Sequence, residues 1–272
     1  MGIRNLAYCV LNTPELSTPS NTFHVRTWKR LDILGRLSGS QHADASVTDT
    51  TVPENTDDVP TKTDFSPSRM ATAALSITEE LLSHEPTTIL IERQRFRSGG
   101  GSAIQEWTVR VNMLESMLWA CLETTRRSRI MPADQPFPTT YEVSPARVAA
   151  FWTAERANLS SSSPESVHRD ESLSPELPIR AKRALKAKTG KNDKIAVIES
   201  WLVEDPPGVT LEFSPEAQLQ ADVFMGVTTS RLRKRDDLAD CLLQGVSWYR
   251  WEQNRRNILT ERLLPESDVN RR

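Results

Sequence analysis

Asp236, Asp237 and Asp240 follow the cations Arg231, Arg233, Lys234 and Arg235 in a stretch that otherwise reads as an apolar helix. Leu238, Cys241, Leu242, Gly245 and Trp248 recur at helical spacing and face a core. Asp237 and Asp240 are three apart, and Asp236 and Asp240 four apart, so a helix brings these acids near one another. Like charges that close destabilise a helix unless something positive sits between them. A divalent cation answers that need, because hard cations take oxygen ligands. A solvated acidic turn at a helix N-terminus, favoured by the helix dipole, is the competing reading of this stretch taken alone.

A fourth acid, Glu92, ends the apolar run Thr87–Glu92, which reads as a buried strand. Open α/β sheets place their sites at the C-terminal ends of strands. The loop that follows is basic and glycine-rich, with Arg93, Gln94, Arg95 and Arg97 ahead of three glycines.

The elements around these acids alternate. Gly2–Leu11 is a continuous apolar run and reads as a strand. Phe23–Leu34 reads as one or two antiparallel strands. Ser68–Leu82 is a helix with Met70, Ala74, Ile77, Leu81 and Leu82 inward. A long amphipathic helix over Ser102–Thr125 follows the Glu92 strand, with Ile104, Trp107, Val111, Leu114, Leu118, Cys121 and Leu122 on its apolar face. Thr139–Val143 is another strand, and Ser144 and Pro145 cap and open a helix. A helix to Val203 turns Ile195, Ile198, Trp201 and Leu202 inward, and Ser214-Pro215 opens the next. Two segments, 36–67 and 158–179, are rich in Ser, Thr, Asp, Glu and Pro and are expected to be disordered. The pattern predicts one α/β domain over residues 1–272, a mixed sheet flanked by helices with two disordered insertions.

Formal net charge is only −2, but the charges are segregated. The run from Arg180 to Lys194 holds Lys182, Arg183, Lys186, Lys188 and Lys191 against one Asp193. Such patches suit phosphate contacts; a solvated tail is the bland alternative. Cys9, Cys121 and Cys241 fall in apolar runs without paired spacing and read as buried, reduced thiols. The four histidines are scattered, with no metal-ligand spacing. No apolar run is long enough to span a bilayer, so no membrane partner is expected.

Three pieces occur in order: Gly2-Ile-Arg-Asn5 on the opening strand, Ile89-Leu-Ile-Glu-Arg-Gln94, and Asp236-Asp-Leu-Ala-Asp240. Together they resemble the ribonuclease-H-like nucleases, specifically the fungal mitochondrial Holliday-junction resolvases related to bacterial RuvC. The resemblance implies a ribonuclease-H-like fold and a structure-selective endonuclease that resolves four-way junctions in mitochondrial DNA recombination. It implies two-metal phosphodiester hydrolysis with two Mg2+ per site, Mn2+ able to substitute, the ions roughly 3.5–4 Å apart. One ion activates water and the other stabilises the leaving oxygen. Glu92 and Asp240 are the implied ligands, with Asp237 or Asp236 as the third. The implied DNA contacts are Arg4, Asn5, Arg93, Gln94, Arg95, Arg97, Lys182, Lys186, Lys188 and Lys191. A twofold-symmetric junction implies a homodimer, and Ser102–Thr125 is the candidate for part of its interface. A non-catalytic junction- or nucleoid-binding paralogue is the alternative.

The family's pattern is Asp-x-Gly-Ile-Arg-Asn, and matching it to Gly2-Ile-Arg-Asn5 places the first catalytic aspartate just before Met1. The expectation is therefore an N-terminally truncated chain whose targeting sequence and first acid lie upstream. Little or no junction cleavage is expected from the chain as written, and cleavage is expected once an N-terminal extension supplies that aspartate. Robust cleavage by the unextended chain refutes this.

Overall fold

The computed structural model describes residues 6–17, 20–33, 65–94, 106–128, 136–152, 192–203, 208–227 and 235–263. In chain order these form β1 (Leu6–Asn12), β2 (Thr22–Leu31), α1 (Pro67–Ser83), β3 (Thr88–Glu92), α2 (Glu106–Ser128) and β4 (Thr139–Val143). A helix over 145–152 (α3) and one over 192–201 (α4) follow. Then come β5 (Thr210–Phe213), α5 (Pro215–Met225) and α6 (Arg235–Leu263). The chain divides into two compact units, Met1–Leu6 with Arg30–Glu142, and Ala7–Lys29 with Val143–Arg272.

In the second unit the strands run in the order β1-β2-β5. β2 alternates at its start, with Phe23 and Val25 fully buried and His24 and Arg26 exposed, as a half-buried strand should. Thr27 and Trp28 are both buried, so the strand is covered on both faces towards its end. β5 pairs with β2 in parallel, in the register Phe23↔Leu211 and Val25↔Phe213. The Phe23–Leu34 run forms one strand, ending at Leu31. Ser214 caps α5 by accepting from Ala217 N–H at 3.2 Å and donates to the Arg26 carbonyl at 2.7 Å, so one hydroxyl starts the helix and ties it to β2. Gly226, with φ of 74°, ends α5 in the left-handed region.

α6 is enclosed on two sides. Towards the strands, Trp28 Nε1 donates to the Leu238 carbonyl at 3.0 Å. The Cys9 thiol donates to the Cys241 carbonyl at 3.2 Å, and Tyr249 meets Phe23 edge-on at 5.1 Å. Gly245 lies over Leu11, so closely that an added Cβ would sit 2.5 Å from Leu11 Cδ1. Positions 238, 241, 245 and 249 are one helical stripe. On the other side Trp152 Nε1 donates to the Leu243 carbonyl at 3.3 Å, and Trp152 packs on Trp201 at 4.8 Å. Leu238, Ala239, Leu242, Leu243, Val246 and Ser247 are accordingly all sealed from solvent. The helical periodicity expected of this stretch is present, but the buried arc is wider than one face. Trp248 is half-buried, and Tyr249 takes the core position instead.

In the first unit α1 packs on α2. Met70, Ala73, Ala74, Ile77 and Thr78 on α1, and Val111, Leu114, Leu118 and Leu122 on α2, are buried. β3 and β4 form a two-stranded sheet. Ile89 and Ile91 are buried, so β3 alternates even though its sequence is nearly all apolar. Trp107 differs from expectation. It is 43% exposed at the start of α2, stacked edge-on to Phe65 at 6.0 Å. The guanidinium of Arg110 lies over the Phe65 ring, 3.7 Å from its centroid. Phe65, Ser66 and Pro67 fall in the first segment expected to be disordered, yet Phe65 is buried and Ser66 caps α1. Residues 36–64 and 158–179 lie outside the described residues.

The close approach at Gly245 sets a size limit. Alanine gains about 1 kcal/mol of helix propensity and loses a similar amount to overpacking, because Leu11 Cδ1 is the end of a movable side chain. Gly245→Ala is expected to change stability by less than about 1 kcal/mol, and Gly245→Leu to lower it by about 2 kcal/mol or more. Urea denaturation of both variants measures this; equal stability for the leucine variant would refute the packing.

Candidate active site

Among the described residues, the candidate acids fall in two groups, one in each unit. The first surrounds the end of β3. Glu92 is half-buried there. The backbone N–H of Gln94 donates to Glu115 Oε2 at 3.0 Å, and the Gln94 side chain folds back to the Glu92 carbonyl at 3.2 Å. Arg93 reaches Glu142 Oε1 at 3.3 Å, with both side chains largely exposed. Burial pushes the Glu115 carboxyl above its ordinary value. The charges of Glu142 and Glu92 push it the same way, while the Gln94 N–H and Arg93 oppose them. Glu115 is therefore part of one electrostatic cluster with Glu92. The sequence reading missed it because it lies on α2, among residues assigned to packing. Its position beside buried Leu114 and three before buried Leu118 was the available signal.

The second group is the opening of α6. Asp236, Asp237 and Asp240 are half-buried, the first two in the helix's first turn, where the dipole favours negative charge. α4 lies along this end. Lys194 Nζ sits 2.6 Å from Asp240 Oδ1, and Arg235 Nη2 donates to Glu199 Oε1 at 2.5 Å. Lys194 precedes Glu199 while Asp240 follows Arg235, so the two helices are locally antiparallel and joined by two charged rungs. Arg235 also lies over the Phe224 ring at 4.4 Å, and Phe224 packs on Trp28 at 5.0 Å. Cys241, next to Asp240, has its thiol pushed well above the ordinary range by burial and by its hydrogen bond with Cys9. All three cysteines are free, as expected of reduced thiols, but each is half-buried and not fully enclosed.

Carboxylates at Asp236, Asp237 and Asp240 are the hard oxygen donors a divalent cation takes. The fit to a cation is visible at Asp240, where an ammonium already stands 2.6 Å from one oxygen. Among the described residues no group of three acids, histidines or cysteines is close enough to hold an ion by itself. A bound ion there would complete its shell with water or with donors from elsewhere in the chain. Of the expected DNA contacts, Arg93 and Gln94 are placed as above. Arg4, Asn5, Arg95, Arg97, Lys182, Lys186, Lys188 and Lys191 lie outside the described residues, as does the opening Gly2-Ile-Arg-Asn5 motif.

A family model described as mitochondrial resolvase Ydc2 / RNA splicing MRS1 matches residues 1–258. The chain is 30% identical to cruciform cutting endonuclease 1, mitochondrial, of Schizosaccharomyces pombe, over 70% of this chain and 60% of that protein. It is 24% identical to the Saccharomyces cerevisiae protein of the same name, over 72% of this chain and 58% of that one. The chain thus spans about three-fifths of the length of these curated relatives. A crystal structure of the yeast mitochondrial Holliday junction resolvase Ydc2 superposes with a TM-score of 0.51, at 24% identity, covering 97% of this chain and 82% of that one. The fold is therefore the mixed α/β, ribonuclease-H-like fold of that resolvase.

The raised pKa of Glu115 makes stability depend on pH. Just above the ordinary carboxylate value of 4.5 the folded chain binds more protons at this site than the unfolded chain. Stability is therefore lost as pH rises through that window. Glu115→Gln keeps an acceptor for the Gln94 N–H and cannot ionise. It is expected to be more stable than the wild type at pH 7, with the difference shrinking below pH 4.5. Urea midpoints at pH 4 and pH 7 test this, and a difference that does not vary with pH would count against it.

Proposed function

The chain belongs to the mitochondrial resolvase Ydc2 / RNA splicing MRS1 family, and on that premise we propose that it is a structure-selective endodeoxyribonuclease acting on four-way DNA junctions in mitochondria. The match of the family model across residues 1–258 carries this reading. The names of the curated relatives, both cruciform-cutting mitochondrial endonucleases, support the substrate and the compartment.

The carboxylates assigned to Mg2+ in this proposal, with Mn2+ able to substitute, are Glu92 of the first unit and, in the second, Asp240 with one of Asp236 and Asp237. A divalent ion bound there supplies an acidified water and neutralises charge on the scissile phosphate. The chain's own residues do the rest. Packing of α6 on β1 and β2 holds the Asp240 backbone in place through Trp28 and Cys9. Arg93, next to Glu92, can exchange Glu142 for a phosphate oxygen, since that pair is exposed and weakly held. The basic residues Arg95, Arg97, Lys182, Lys186, Lys188 and Lys191 add sequence-independent phosphate contacts, and Arg4 and Asn5 are assigned to DNA by the same reading. Cutting two strands of a twofold junction calls for a homodimer, and α2, with Trp107 and Val109 exposed, is the proposed contributor to its interface. No described helix is long and apolar enough to cross a membrane.

A second reading draws on the RNA-splicing half of the family description: a non-catalytic nucleic-acid-binding protein on the same fold. Nicking of a synthetic four-way junction separates the two. The assay uses the chain with and without an N-terminal extension that supplies an aspartate before Met1. Junction binding is expected of both forms, with Mg2+-dependent nicking by the extended form and little or none by the unextended one. Asp240→Asn should keep binding and lose nicking by at least about 100-fold, because even residues behind a metal ligand cost 10–100-fold. Junction binding with no nicking in any form, or an Asp240→Asn variant that still nicks, would favour the second reading.

A further inference from the structure

We propose that Lys194 is a resident counter-cation of Asp240, a positioning residue that holds this carboxylate in the metal-free protein and that a divalent ion must displace from Oδ1. The inference rests on the reading of Asp240 as a metal ligand, and it adds a residue that the charge pattern had left inside a generic basic run.

Three observations carry it. The first is contact: Nζ is 2.6 Å from Asp240 Oδ1, and the side chains are only 21% and 33% exposed. A long lysine on an open surface gains little from such a pair. Here both groups have shed most of their water, so the carboxylate interacts more strongly with its partner.

The second is construction. α4 is fixed beside α6 by the Arg235–Glu199 rung at the other end and by Trp201 packing on Trp152. Ile198, on the same helix, is fully buried. Arg235 is in turn braced over Phe224. Lys194 is thus delivered to Asp240 by a packed helix, not by a mobile chain.

The third is charge. Asp236, Asp237 and Asp240 stand at steps of three and four on one helix, where like charges repel, and Lys194 brings one opposite charge to Asp240 before any ion arrives. An ammonium within hydrogen-bond distance of Oδ1 and an inner-sphere divalent ion on that same oxygen exclude each other. Binding the ion therefore requires Lys194 to swing away, towards solvent or towards a phosphate. By linkage, whatever Lys194 costs the ion in affinity, the ion costs the Lys194–Asp240 contact.

The test uses Mn2+ alone, with binding followed by electron paramagnetic resonance and no turnover required. Lys194→Met is expected to bind Mn2+ about fivefold more tightly than the wild type. Lys194→Arg, which keeps the cation and controls for folding together with circular dichroism, should stay near wild type. In the wild type, Mn2+ should speed amine acylation of Lys194, read by peptide mass spectrometry against Lys29 as an internal reference. Unchanged or weakened Mn2+ affinity in a folded Lys194→Met, or acylation that ignores Mn2+, overturns the inference. Asp240→Asn separates this from failure of the parent reading. If Asp240→Asn abolishes Mn2+ binding while Lys194→Met leaves it unchanged, only the role of Lys194 falls. If Asp240→Asn binds Mn2+ as the wild type does, or neither wild type nor Lys194→Met binds it, the metal-ligand reading falls with it.

Discussion

The enclosure of α6 governs the rest of its unit. Its carbonyls at Leu238 and Cys241 accept from Trp28 and Cys9 on one side, and the Leu243 carbonyl accepts from Trp152 on the other. A helix held by side-chain donors on two faces cannot rotate or slide without leaving buried donors unpaired, which costs far more than the bonds return. Charged groups on such a helix are confined to its edges and ends, while the buried Ser247 hydroxyl is satisfied by the Leu243 carbonyl. Asp236, Asp237 and Asp240 occupy that remaining space, so their positions follow from packing. Precision of this kind is what a site built from short carboxylates needs, since a ligand displaced by even a fraction of an ångström loses geometry that side-chain rotation cannot restore.

Burying an acidic edge creates an electrostatic problem, and the two units handle it differently. At α6 the answer is opposite charge from a neighbouring helix: Lys194 to Asp240, and Glu199 to Arg235 in the opposite sense. Among the described residues at the end of β3, the acids Glu92, Glu115 and Glu142 face the one cation Arg93. Arg93 leans on Glu142, and Glu115 takes a backbone N–H, which offsets only part of its burial. Its carboxyl is accordingly pushed up. A cation added at the β3 end would relieve this frustration, whereas one added at Asp240 has to compete with an amine. The net charge of −2 describes neither place, because it averages over segregated patches.

Local pattern made the elements legible and left their partnerships hidden. Pro215 after the capping Ser214 and the run ending at Glu92 mark elements close to their observed bounds, whereas Ser66 and Pro67, which cap and open α1, read as part of a disordered segment. The acids of α6 were readable as a group because i, i+3 and i, i+4 spacing is a property of one helix. Nothing local told β2 to pair with β5 in parallel, since period-two alternation names a buried face and no neighbour. The Lys194–Asp240 pair joins residues on separate helices with 45 residues between them, and Glu115 looked like one more polar position on an amphipathic helix. Trp107 was misplaced for the opposite reason. Its spacing fits the apolar face, but at the start of α2 it packs on Phe65 and keeps much of its ring in solvent.

The length of α6 shows which of its features packing controls. Its 29 residues extend about 44 Å at 1.5 Å per residue. The contacts to the strands and to Trp152 fall between Leu238 and Tyr249, and Phe151 reaches as far as Trp251. Beyond that the helix is polar and exposed, with Ile258 and Leu259 about half accessible and Arg255 paired to Glu252 within its own turns. Such an end is free to bend or fray at small cost, since little buried surface depends on it. The acids sit at the other end, one turn from the Trp28 and Cys9 contacts. Displacing them would mean breaking the core between α6 and β2, so the carboxylates move only when the whole unit does.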